Sequence, residues 1–542
     1  MRKSPAALSA AVLLSVLLGA CTDDSVAPQA AADRGAVITY SETEPANPLV
    51  PGNTNEVGGI AVLGALFRGL LEYDAKTAAP RNAVADAITT TDSRIWTITI
   101  KPNWVFHDGT PVTASSFVDS WNYTAYSPNL MRSASYMANI EGFDQVNNAG
   151  PDGRQPAALP PAKQLSGLRL VDDHTFTVTL KAPFSQFGIR LGYAAFYPMP
   201  AAFFTDRRAF EAHPVGNGPF RFVSHTKGKN LLIERFDGYG GAQKPSIAGI
   251  DYRFYTDLDQ AYADVLADRL DFLSFTPWRA TQGNQIEKDL PTTRRAAYKY
   301  LGYQAIAFPM FDKRYADRRL RQALSMAIDR PALIKQIFNG TRVPAAGLVP
   351  PNVQGYIPDQ CGVLCTYQPQ KARQLFDQVG FTGPITLTSN VDSGNREWVE
   401  VVCRSIAQTL GHPCVFQPQT TLGEFRAALN NRQIDAVYRT AWVAGFPSVE
   451  NFLNPLFRTS GASNVGQYAN PQVDALLAQA DAAPSQEQAN SLYQQVERMV
   501  LQDMQTIPIW YQSATAAWSS RLHDVHPTLF RELDYFSVTV SK

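Results

Sequence analysis

The side chains best suited to chemistry in this 542-residue chain are five cysteines and seven histidines. The histidines lie at 107, 174, 213, 225, 412, 523 and 526. His523 and His526 stand three apart, but in a Pro-containing segment without a third ligand. They read as surface or turn residues, and no metal site is expected. The sequence holds no Gly-x-Ser-x-Gly elbow and no His-Glu-x-x-His helix. It also lacks a Walker loop and a dinucleotide-binding glycine fingerprint. No cofactor and no covalent catalysis are expected. A carboxylate-based hydrolase would leave no such trace, because two acids can lie anywhere in sequence. A secreted hydrolase is therefore the rival reading from another class.

Cys21 stands apart from the other four cysteines. It follows a cationic Met1-Arg2-Lys3 and an apolar stretch from about Ala6 to Leu18. That stretch is shorter than the roughly 20 residues of a membrane-crossing helix and has the length of a secretory h-region. It ends Leu18-Gly19-Ala20-Cys21, which resembles a bacterial lipoprotein signal. The resemblance implies that residues 1–20 are cut away and that Cys21 carries a lipid. Residues 21–35 then read as a flexible tether with almost nothing to bury. No other stretch approaches 18 uninterrupted apolar residues. The mature chain is expected outside the cytoplasm, at the cell surface or in the periplasm, held to the membrane by lipid alone. Cys361, Cys365, Cys403 and Cys414 form an even set, which favours disulfides in an exported chain. Three pairings are possible; Cys361–Cys365 and Cys403–Cys414 are favoured because short loops close readily.

These groups must be positioned by a large, ordinary globular frame. Length alone suggests about two to four domains. The 45% hydrophobic content excludes wholesale disorder. Forty-eight basic residues balance 48 acidic ones, which argues against a nucleic-acid partner. Ala36 to Tyr40 carry the first strand signal. Residues 95–100 and 175–180 alternate apolar residues with threonine, a half-buried sheet pattern. Residues 60–71 read as a buried helix. Residues 318–340 read as two helices, with Asp329 capping the second, Pro331 in its first turn and Asn339-Gly340 as its stop. Met326 belongs to the apolar stripe. Further helices are predicted over 369–380, 396–410, 422–431, 471–481 and 486–504, and strands near 384–389, 413–417 and 434–440. The interleaving predicts α/β domains.

Residues 94–123 include Trp96, Trp104, His107-Asp108-Gly109-Thr110-Pro111, Phe117 and Trp121. This segment resembles the signature of the family 5 extracellular solute-binding proteins, the peptide receptors of bacterial ABC importers. His213 to Phe220, Arg321 to Arg330, and Asn464 with Tyr468, Asn470-Pro471 and Asp474 are similar to later segments of that family, in the same order. The resemblance implies a two-lobed periplasmic-binding-protein-like fold (type II, cluster C) with an inserted extra domain and two hinge crossings, near 299–304 and 508–513. It divides the chain into lobe I (36–55, 198–303 and 512–542), an inserted domain (56–197) and lobe II (304–511). It further implies a monomer that binds a peptide or peptide-like solute and partners a permease and ATPase. Oligosaccharide, haem or a nickel complex are alternative ligands on the same fold.

The family's receptors carry a Trp followed three residues later by an Asp that pairs with the peptide's amine. The matching residues here are Arg439, Trp442, Val443, Ala444, Gly445 and Phe446, with Gly445 where the Asp would stand. By resemblance these residues line the ligand cleft, together with Tyr40 and Glu42, whose strand would offer backbone pairing. An enclosed ammonium without an anion is costly. The departure predicts either a ligand lacking that amine or another acid in its place: Glu42, Glu44 or Glu450.

Overall fold

The computed structural model describes residues 33–149, 158–391, 395–419, 422–461 and 463–541. The leader 1–20, Cys21 and the tether through residue 32 lie outside the described residues.

Alternation places Trp96, Ile98, Phe176 and Val178 in one core, while the intervening threonines stay half-buried. Their strands, Ile95–Ile100 and Thr175–Thr179, pair antiparallel at the centre of a four-stranded sheet flanked by Ala85–Thr90 and Leu168–Asp172. Helix Ala114–Ala125 opens on a capping box between Thr113 and Ser116 and buries Phe117 and Trp121 against that sheet. The Trp121 ring meets Phe176 edge-on at 5.5 Å. This core is built mostly from the segment that follows the first strand of the chain, joined by Tyr239 and Phe446 from farther along.

A second sheet runs through the remaining two halves. Its order is Cys414–Gln419, Ile385–Asn390, Val437–Val443, Arg295–Ala307, Thr506–Trp518, Phe272–Leu273, Val37–Glu42, Gly249–Phe254, Asn230–Arg235 and Phe220–Thr226. Two 13-residue strands, Arg295–Ala307 and Thr506–Trp518, hold it together. Arg295 to Lys299 pair with Ala517 to Ser513; the register then shifts, and Tyr303 to Ala307 pair with Tyr511 to Thr506. On one side of the break lies a core containing Ile38, Phe220, Ile233 and Ile250. On the other lies a core containing Leu324, Trp398, Val402, Phe452 and Val500. The architecture is therefore two α/β lobes joined by two crossing strands, with an inserted domain.

In the second lobe the strands at 385 and 414 pair in parallel, with helix Asn395–Leu410 between them in sequence. The disulfide Cys403–Cys414 ties that helix to its following strand, and Cys361–Cys365 closes a single turn. Both pairings are those that short loop closure favours. Helices Arg318–Met326 and Arg330–Phe338 appear as the spacing predicts; Asp329 caps the second by accepting the Ala332 N–H at 3.0 Å. Met326 is fully buried.

One element departs from expectation. The helix predicted over 60–71 spans Val57–Leu66, and Leu71–Tyr73 is a strand. Tertiary hydrogen bonds take over where the helix stops. The Arg68 N–H donates to Asn217 Oδ1 at 2.9 Å, and its guanidinium donates to the Tyr239 and Tyr535 hydroxyls. Gly216 and Gly218 permit this approach: a Cβ on either would overlap the Leu66 backbone. Among the described residues no helix is long and apolar enough to cross a membrane.

Candidate functional site

Where the two crossing strands pass between the lobes, the chain encloses a cleft of about 760 Å³. The first lobe contributes Ser41, Glu42 and the segment from Leu273 to Trp278; the second contributes Phe338, Arg342, Trp398 and Arg439. The crossing strands supply Tyr300, Gln304, Trp510 and Gln512. A groove of similar size on the inserted domain, around Thr110, Asp119 and Lys163, is reached by neither crossing strand.

A polar chain crosses the cleft. Trp510 Nε1 donates to Gln512 Oε1 at 3.3 Å, and Gln512 Nε2 donates to Gln304 Oε1 at 3.3 Å. Gln304 Nε2 then donates to the Thr440 carbonyl at 3.0 Å, while Arg439 Nη2 donates to Gln304 Oε1 at 3.4 Å. Aromatic rings wall it: Trp398 and Phe338 meet Trp510 at 5.0 and 4.9 Å, and Phe275 meets Tyr300 at 5.8 Å. Burial pushes the Glu42 carboxyl up, opposed by the Thr43 N–H it accepts at 2.8 Å and by the nearby Arg531 charge. Such a surface can hold a guest with both apolar and polar parts. Among the described residues no group of three His, Cys, Asp or Glu is placed to hold a metal ion.

The residues expected at the site divide into two groups. Glu42 and Arg439 line the cleft. Tyr40 packs its ring into the first-lobe core against Tyr252 and Phe272, and both edges of its strand are already paired. Ser41 and Glu42, just after it, are the ones that face the cleft. Trp442 to Phe446 lie at a seam between lobe II and the inserted domain. Trp442 Nε1 and the Gly445 N–H both donate to Asn451 Oδ1, at 3.3 and 3.2 Å. Val443 pairs with Gly302, and the Ala444 N–H donates to the Leu301 carbonyl at 2.8 Å. A Cβ on Gly445 would sit 2.7 Å from Tyr193 Cε2. Phe446 is buried in the inserted domain's core.

The candidate acids also separate. Glu44 accepts the Gly228 N–H and contacts His225 Nε2, each at 2.9 Å, and these bonds hold its carboxyl below the usual range. Glu450 is buried against Arg190 of the inserted domain, with Nη2 to Oε1 at 2.7 Å. Glu42 is the one of the three that reaches the cleft. Sequence reasoning missed Arg342, Trp398 and Arg531 entirely, since they lie far apart in the chain and belong to no motif. Gln304, Trp510 and Gln512 fall in or beside the predicted crossings, and that was the available signal.

The description "Bacterial extracellular solute-binding proteins, family 5 Middle" matches residues 79–464. The glutathione-binding protein GsiB of Pectobacterium atrosepticum is 27% identical over 506 residues, covering 91% of each chain. The periplasmic oligopeptide-binding protein OppA of Salmonella typhimurium is 26% identical over 464 residues, covering 82% of this chain and 81% of that one. The solved murein tripeptide-binding protein MppA of Escherichia coli shares the fold with a TM-score of 0.78 at 23% identity, over 93% of this chain and 98% of that one.

Proposed function

The chain belongs to the bacterial extracellular solute-binding proteins of family 5, and on that premise we propose that it captures a peptide or peptide-like solute in the interlobe cleft. Members of this family bind solutes and are not enzymes. The captured solute is handed to an ABC permease and its ATPase. The mature chain acts as a monomer tethered through a lipid on Cys21. Lobe I comprises 36–55, 198–303 and 512–542, the inserted domain 56–197, and lobe II 304–511.

One observation carries this reading: the cleft lies on the crossing strands and takes its walls from both lobes. A guest there touches both lobes only when they close, so its binding shifts the open–closed equilibrium and reports occupancy. Backbone groups of a peptide find partners in Gln304 and Gln512, and its side chains find the aromatic walls.

Amine recognition is atypical. Tyr193 covers the space that a side chain at Gly445 would need, and Arg190 neutralises Glu450. Either the guest lacks a free amine in that place or Glu42 receives it. Calorimetry with matched free and N-acetylated peptides tests this. Tight binding of the free forms alone, unchanged by Glu42→Gln, would defeat it. Release of an intact carried molecule from purified protein supports capture; progressive loss of a substrate with appearance of products would contradict it.

A further inference from the structure

The charged side chains that line the cleft sort by lobe. Among the described residues, the first lobe contributes the acids Glu42, Asp257 and Asp259 and a single base, Arg531. The second contributes the bases Arg342 and Arg439 and a single acid, Glu397. The lone base of one wall and the lone acid of the other are also the two left with buried, unpartnered atoms. Arg531 Nε and Glu397 Oε2 are both buried, and neither has a hydrogen-bond partner. No described residue forms an ion pair with either side chain.

Other charges of the cleft are engaged where they stand. Arg342 stacks on Phe338 at 4.6 Å and donates to the Ser513 carbonyl and to Gln512 Oε1. Arg439 donates to Gln304 Oε1 at 3.4 Å. Glu42 accepts the Thr43 N–H, and Asp257 accepts the Asp259 N–H, each at 2.8 Å. Arg531 instead lies 4.3 Å from the Phe275 ring and 5.5 Å from that of Tyr300. Tyr300 stands in the register break of the crossing strands, between Lys299 and Tyr303. Glu397 lies in the first turn of helix Asn395–Leu410. Its neighbour Trp398 meets Trp510, on the other crossing strand, at 5.0 Å. Each charge is therefore held on the wall of its own lobe, beside one of the two crossings. A guanidinium stays protonated and keeps its need for acceptors.

We propose that Arg531 and Glu397 pair with each other across the cleft when the lobes close, a clasp made by the chain itself that stabilises the closed form whatever guest it encloses. This rests on the lobe closure proposed above and goes beyond it by naming a contact that the lobes make directly. Closing expels water from between the walls, so an unpaired guanidinium or carboxylate there opposes it. Pairing turns the same two groups in its favour. A guanidinium–carboxylate contact is directional as well as strong, so it also fixes the angle at which the lobes come to rest.

The test uses the purified full chain and a mixture of tripeptides with free termini. Titration calorimetry reads affinity, and small-angle X-ray scattering reads the shrinkage that accompanies closure. Arg531→Glu and Glu397→Arg each set like charges across the gap. Each should weaken binding about 10- to 100-fold and reduce the shrinkage. The double variant, Arg531→Glu with Glu397→Arg, should recover most of both. Thermal unfolding checks each fold. If a reversed variant does not fold, the cycle of Arg531→Met and Glu397→Gln decides, in which the double variant should lose little more than either single one. Additive losses in the cycle overturn the clasp while leaving capture intact. If the mixture neither binds the unaltered chain nor compacts it, the capture reading falls and the clasp falls with it.

Discussion

The seam between the inserted domain and lobe II and the cleft between the lobes use the same device to different ends. At the seam, Arg190 lies 4.4 Å from the Phe184 ring; in the cleft, Arg531 lies 4.3 Å from the Phe275 ring. Arg190 is then closed off by Glu450, which also accepts from Asn454 at 3.0 Å. Beside this pair, Arg458 meets Asp481 at 2.7 Å, and Ser448 Oγ bonds Gln186 Oε1 across the seam at 2.8 Å. Arg531 has no such closure. The same ring contact thus closes a seam where a carboxylate of the chain completes it, and stays open to the cleft where none of the described residues does. Glu497 is a third outcome. It is buried without a cation, accepts the Leu348 and Val349 N–H groups through Oε1, and leaves Oε2 without a partner. Burial pushes its carboxyl up to about 7, towards the neutral form, a shift that an arginine does not make.

Glu450→Ala is the hardest blow to the seam, since it strands Arg190; denaturant unfolding should show a loss of about 3–5 kcal/mol. The double variant Arg190→Met with Glu450→Met should recover most of it. A stable Glu450→Ala would mean that the seam is no fastening.

Gly445→Asp should cost about 1–3 kcal/mol of stability through overpacking against Tyr193. It should not raise affinity for free-amine peptides, and Tyr193→Ala should relieve the cost. Calorimetry and thermal unfolding together check both halves of this outcome.

The two regions should also separate by tryptophan. Trp510→Ala removes a cleft wall and should weaken peptide binding about 10-fold. Trp442→Ala should lower stability with little change in affinity, because that ring packs outside the cleft against lobe II. Loss of affinity in Trp442→Ala alone would redraw the site.

A further expected effect is a pH dependence. Burial pushes Glu497 up to about 7 from an ordinary 4.5. The folded chain therefore holds this proton more tightly than the unfolded one. The stabilisation is complete below 4.5 and is lost as pH rises through about 7. Relative to Glu497→Gln, the unaltered chain should lose stability across that window. A constant difference between the two would show that Glu497 is charged.

Much of the frame was legible because it follows local rules. The alternation at 95–100 and 175–179, the Asp329 cap and the stripes of the late helices depend on residues near in sequence. The end of the first helix at Leu66 was not, because Asn217, some 150 residues onward, takes the Arg68 N–H. The cleft was legible only where it coincides with the crossings. Glu42 and Arg439 were found through resemblance, whereas Arg342, Trp398 and Arg531 converge only through the fold. The segment from Trp442 to Phe446 shows the converse. It resembles the family's cleft segment in sequence, yet what covers Gly445 is a tyrosine some 250 residues away in the chain.

Native mass spectrometry of the full chain, with the solute it carries through purification, tests the central claim most directly. The expected result is a peptide-like molecule released intact when the chain is denatured. A molecule recovered only as cleavage products would contradict it.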